Sequence, residues 1–166
     1  MDVVGAIDEP LSPELKSRAP FHFILCTEIL EHVARWDVAF ANLAQLLASG
    51  GRLLVTCPHF YPPHEEPYDF WRPTHNALEW HAEEVGLKVL EVRRAGDAWD
   101  ILGTMLAVTH FRAARGKVLD HIAAAISQAV RRGVAAALRS PSLRRRMRIR
   151  GPMYLALFAV FEKQPP

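Results

Sequence analysis

Hydrophobic and polar positions change period several times along this chain, and each change marks an element. Asp2 to Ile7 is a short apolar run that reads as a strand, followed by a polar loop containing Pro10, Pro13 and Pro20. Phe21–Thr27 is apolar except for His22, the pattern of a strand buried on both faces. From Glu28 the period becomes helical: Val33, Trp36, Phe40, Leu43 and Leu47 recur at three- and four-residue intervals. Ser49-Gly50-Gly51 ends that helix, since glycine takes the left-handed cap without a steric penalty. Arg52–Cys57 is the next strand, stopped by Pro58. His75–Val85 reads as a helix closed by Gly86, and Leu87–Arg93 as a strand. Between Asp97 and Arg150 the period is helical again, with Ile122, Ile126, Ala129, Gly133 and Ala137 along one face. Tyr154–Phe161 is a last apolar strand.

The order is strand, strand–helix–strand, helix–strand, a helical insertion and a strand: an α/β sheet layered by helices. Short connections inside the strand–helix–strand unit imply parallel strands joined by a right-handed crossover. A chain of 166 residues suits one domain spanning 1–166, with 97–150 as a basic helical insertion. No apolar run reaches the roughly 18 residues a membrane span needs. The first residues carry no secretion signal, and two cysteines are too few for a disulfide framework, so a cytoplasmic setting is expected.

Charge changes the picture. Residues 1–111 hold eight Lys/Arg against sixteen Asp/Glu, whereas residues 112–150 hold eleven Lys/Arg against Asp120 alone. The near-neutral total therefore hides an acidic body with a basic segment set into it.

The densest chemistry lies between Phe21 and Thr74: Phe-His-Phe-Ile-Leu-Cys-Thr, then Glu-Ile-Leu-Glu-His-Val, then Gly-Gly-Arg-Leu-Leu-Val-Thr-Cys-Pro, then a loop ending Tyr-Asp-Phe-Trp-Arg-Pro-Thr. That string resembles the middle of class I S-adenosylmethionine-dependent methyltransferases of the type 11-like branch. The resemblance implies a partial Rossmann-like sheet. Phe21–Thr27 would be the fourth strand, Arg52–Cys57 the fifth, Leu87–Arg93 the sixth, Tyr154–Phe161 the seventh, and Asp2–Ile7 what remains of the third. The family's glycine-rich loop has no counterpart here, so the chain is expected to be the downstream, truncated part of such an enzyme.

In open α/β sheets ligands bind beyond the carboxyl ends of the strands. By resemblance, Asp8 is the nearest candidate for the acid that holds the adenine ring of the cofactor, although the family's usual position for it is occupied by Ala6. Cys26, Thr27 and Glu28 match the segment that lines the methionine part. Cys26 reads equally well as a small core residue.

The pattern Glu28-x-x-Glu31-His32 places its members on neighbouring helical turns. No metal is expected as the first reading, since acids also suit a helix N-terminus. The alternative is a divalent ion on Glu28, Glu31 and His32, completed by His59 or His64, as in some methyltransferases with this pattern.

Residues 58–74 contain five prolines, two histidines and three acids, and long loops above a rigid sheet are often functional. Similar enzymes cover the acceptor with this segment. His64, Asp69 and His59 are the candidate catalytic bases. Asp69 also stands three residues from Arg72, where an ion pair would merely lock the loop. Cys57 lacks a thiolate-activating arrangement.

The expected function is methyl transfer from S-adenosylmethionine to a small-molecule or glycan acceptor, at oxygen or nitrogen. The alternative is an inactive remnant that serves as an interaction module or split-enzyme subunit. For the basic segment a solvated face ranks first, a peripheral membrane contact through 112–150 second and nucleic acid third. A chain without the first two strands leaves the fourth with an open edge. Either Asp2–Ile7 pairs with Phe21–Thr27, or the edge makes a homodimer.

Overall fold

The computed structural model describes residues 2–147, 151 and 153–165. The elements are α1 (Pro13–Arg18), β1 (Phe21–Thr27), a 3-10 turn (Leu30–His32), α2 (Trp36–Leu46), β2 (Leu47–Pro58), α3 (His75–Glu84), β3 (Leu87–Ala95), α4 (Ala98–Val108), α5 (Val118–Leu138), α6 (Pro141–Arg146) and β4 (Ala156–Lys163). They fall into two compact units, Met1–Ala95 with Ala156–Pro166, and Gly96–Leu155.

The first unit is a four-stranded sheet in the order β1-β2-β4-β3. β1 and β2 are parallel, and β4 runs antiparallel to both β2 and β3. With the strand assignments that the resemblance implies, this order reads fourth, fifth, seventh, sixth, and the last two form the expected antiparallel pair. The core forms where α2 and α3 cover the sheet: Phe40, Leu53, Val55, Leu78 and Phe161 are all fully buried. Phe40 stacks on His81 and meets Phe161 edge-on.

Three expectations need correction. Asp2–Ile7 forms no strand; Asn42 Nδ2 donates to the carbonyls of Ile7 and Glu9 at 2.7 and 2.8 Å, and Glu9 N–H turns back to Ala6 O. It does not pair with β1, which is therefore a sheet edge. The second correction follows: β1 is not buried on both faces, for Phe23 and Leu25 are 54% and 60% exposed. Third, no helix begins at Glu28. Its φ is +52°, a left-handed conformation that stops a helix, and α2 starts only at Trp36.

Several boundaries also move. α2 ends at Leu46 rather than at the glycines, and β2 runs from Leu47 through them to Pro58. A side chain at Gly51 would meet the backbone oxygens of Ala48 and Phe21 at 2.8 and 2.9 Å, so the bare glycine allows β2 to close on β1. α1 lies inside the expected loop, capped by Ser12 with Pro13 in its first turn.

In the second unit α4 opens with a capping box between Asp97 and Asp100. Arg144 of α6 pairs with Asp100 at 2.7 Å. α4 packs on α5, and Arg131 donates to the carbonyls of Leu106 and Ala107 at the end of α4. The end of the arginine cluster, residues 148–150, lies outside the described residues.

Candidate active site

The carboxyl ends of β1 and β2 meet the 58–74 loop, and the left-handed turn at Glu28 shapes the junction. Glu28 N–H donates to Thr56 O at 3.0 Å, and its carboxylate accepts from the Thr56 hydroxyl at 2.7 Å. The reversal sends Glu31 inward. It is 1% exposed, and the Cys57 thiol donates to its carboxylate at 3.7 Å. Burial raises the Glu31 pKa from its ordinary value. The Glu31 carbonyl accepts from Phe70 and Trp71 N–H, which ties the far end of the loop to this turn.

His32 follows in the 3-10 turn. Its Nδ1 donates to Tyr68 O at 2.8 Å, leaving Nε2 as the basic nitrogen, 3.8 Å from Glu31 Oε1. His64 meets His32 edge-on, with ring centroids 4.8 Å apart. His64 Nδ1 lies 3.3 Å from Pro62 O and 3.4 Å from both Asp69 Oδ2 and the Arg72 guanidinium, so it faces two acceptors and one donor.

Asp69 is held from two sides. Arg72 grips both carboxylate oxygens at 2.6 and 2.7 Å, and His64 N–H donates at 2.7 Å. The guanidinium keeps the Asp69 carboxyl well below the usual carboxylate range. Arg72 also donates to Tyr61 O and Pro62 O, at 2.9 and 3.0 Å, so it staples the two halves of the loop. His59 is engaged elsewhere, with Nδ1 donating to Pro73 O at 2.7 Å.

A cavity of about 470 Å³ flanks β1. Ala6, Asp8, Cys26, Ile29, His32, Leu43 and Leu46 are among the residues that line it. Of the expected cofactor residues, Asp8 and Cys26 thus share one space. Thr27 and Glu28 do not line it. Asp8 accepts from Arg35 N–H at 3.3 Å, and the Arg35 guanidinium donates to its carbonyl. Burial pushes the Cys26 thiol up to about 12 and the Cys57 thiol higher still, so neither is a nucleophile at neutral pH.

The ligands of the alternative metal reading divide. Among the described residues Glu31, His32 and His64 offer ligand atoms within 4.8 Å of one another, whereas Glu28 is turned to Thr56. One carboxylate and two imidazoles, one of them fixed by a carbonyl behind it, suit a divalent transition ion. The Asp69–Arg72 pair offered by the sequence as a loop lock is present. Sequence reasoning missed the position of His32 between cavity and loop, because it depends on the break at Glu28.

A family profile described as Methyltransferase domain matches residues 6–92, more than half of the chain. The chain belongs to that methyltransferase family. No curated protein matches its sequence significantly. Among solved structures, the (4+2)-cyclase SpnF is similar with a TM-score of 0.54 at 14% identity, covering 98% of this chain and 55% of that one. A complex of the Haloferax volcanii Trm112 methyltransferase activator with its provisionally assigned methyltransferase gives 0.53 at 15% identity, covering 99% and 61%. A provisionally assigned sarcosine dimethylglycine methyltransferase from Galdieria sulphuraria gives 0.51 at 13%, covering 97% and 58%. The chain thus spans between 55% and 61% of these structures' own length, and at such identities the likeness is one of fold.

Proposed function

We propose that this chain carries the acceptor side and part of the cofactor side of an S-adenosylmethionine-dependent methyltransferase. The acceptor class is a small molecule or a glycan, methylated at oxygen or nitrogen. The observation that carries the reading is the position of His32, which lines the β1 cavity and also touches His64 of the loop. The cavity volume lies in the range of small-ligand sites.

In this reading S-adenosylmethionine supplies an electrophilic methyl group, and the cavity beside Asp8 and Cys26 takes part of that cofactor. The 58–74 loop covers the acceptor and excludes water. His64 accepts the acceptor proton, and Asp69 with Arg72 positions it. His59 supports the loop through Pro73. Orientation supplies much of the rate in such a displacement, so the stapled loop matters as much as the base.

The test is transfer of a radiolabelled methyl group from S-adenosylmethionine to a panel of glycans and small amines and alcohols. His64→Ala should lower transfer by about 10²- to 10⁴-fold without loss of folding. Undiminished transfer by that variant would remove His64 from the proposal.

The outer edge of β1 is the proposed contact with a second copy of the chain, through strand addition. Sedimentation should then give a dimer that Leu25→Pro dissociates; a concentration-independent monomer would end this part of the reading.

A further inference from the structure

The second unit presents an inverted helix. At about 100° per residue, Val118, Leu119, Ile122, Ile126, Val130 and Val134 of α5 fall within an arc of about 160°. All six are exposed, between 44% and 78%. The other positions in that arc are alanine or glycine, so no polar side chain interrupts it. Apart from the buried Leu138 at its end, the residues of α5 turned toward the rest of this unit are small or polar, including Ala124, Ser127, Gln128 and Arg131, each half-buried. Arg131 is spent on α4 carbonyls, and Gln128 accepts from Phe111 N–H at 3.4 Å. An apolar surface of this size, facing outward on a helix of 21 residues, is a contact surface.

Its surroundings select the partner. Arg115 and Lys117 stand before the helix; Arg132, Arg139, Arg145 and Arg146 stand along it or after it, all exposed. There is no acidic residue from His121 to Met147. A second copy docking on this face would bring like charge against like charge. Nucleic acid would use the arginines and leave the apolar arc in water. A bilayer with anionic headgroups satisfies both features: acyl chains meet the arc, and headgroup phosphates and carboxylates meet the exposed basic side chains of the same segment. Among the described residues no helix is long and apolar enough to cross a membrane, so the contact is in the interface plane.

We propose that α5 is an interfacial helix that docks the protein on an anionic lipid surface through Val118, Ile122, Ile126, Val130 and Val134. The surface is independent of the methyl-transfer reading.

Co-sedimentation of the full chain with phosphatidylcholine vesicles, with and without 30 mol% phosphatidylglycerol, tests it. The expected result is binding to the anionic vesicles only, weakened as salt is raised. Ile122→Asp with Ile126→Asp should abolish binding while leaving the circular dichroism spectrum unchanged, since both side chains are exposed. Arg145→Ala should weaken it about fivefold per charge removed. An Ile126→Trp variant should shift its emission to the blue on vesicle addition. Failure to bind anionic vesicles would overturn the proposal. So would equal binding to both vesicle types, or an oligomer in solution that the double aspartate variant dissociates.

Discussion

Arg72 holds Asp69 by two parallel hydrogen bonds of 2.6 and 2.7 Å, and the same guanidinium reaches the backbone of the opposite side of the loop. The Asp69 side chain is 3% exposed and that of Arg72 23%, so the pair is shielded from solvent. Removing one partner strands the other. Arg72→Ala is expected to cost about 3 kcal/mol of stability. The Asp69 carboxyl is depressed, so its contribution is present above the ordinary aspartate value near pH 4 and is lost as pH falls through the strongly acid range. Denaturant melts should show a wild-type advantage over Arg72→Ala that is constant from about pH 5 upward and shrinks below about pH 4.

Glu31 has the opposite sign. Burial raises its carboxyl in the folded state, so folding favours the protonated form. The stability this supplies is full below the ordinary value of 4.5 and is lost as pH rises through the folded value. Glu31→Gln keeps the volume and removes the charge. Urea melts from pH 4 to 8 should show the variant gaining on the wild type above pH 4.5 and then levelling; a constant difference would mean that Glu31 is not desolvated.

The Glu31–His32–His64 group makes a metal testable without an activity assay. If a divalent ion is held there, Mn²⁺ or Zn²⁺ at a hundredfold its dissociation constant should stabilise the fold by about 2.7 kcal/mol. His64→Ala should remove that increment. An equal increment in the variant would place the ion elsewhere, and no increment would leave the group as a proton relay and packing cluster.

Both thiols should be silent in the native protein. With the Cys26 thiol pushed up to about 12, roughly one in ten thousand is thiolate at pH 8. Ellman's reagent should therefore report no rapid thiol in the folded chain and two after denaturation.

Much of the fold was legible because period and punctuation agree with the local backbone. β1 is bounded as expected, α3 starts at His75 behind its Thr74 cap, and β3 follows Gly86, whose φ is +73°. What the sequence concealed depends on tertiary position. A continuous apolar run cannot distinguish a buried strand from an edge, and β1 is an edge. A Glu-x-x-Glu-His string looks helical until Glu28 adopts a left-handed backbone to satisfy Thr56. The face of Ile122 and Ile126 has the period of a packed helix, yet it points outward. The site was partly legible: Asp8 and Cys26 share a cavity, Asp69 pairs with Arg72, and of the two histidines offered as partners for His32 it is His64 that meets it.

The central claim is that the cavity beside β1 takes part of the cofactor, and calorimetry with S-adenosylhomocysteine tests it most directly. The prediction is micromolar binding by the chain and at least a tenfold loss in Ala6→Trp, which puts a bulky side chain at an exposed lining residue outside the core. No heat at millimolar ligand, or unchanged affinity in Ala6→Trp, would contradict it.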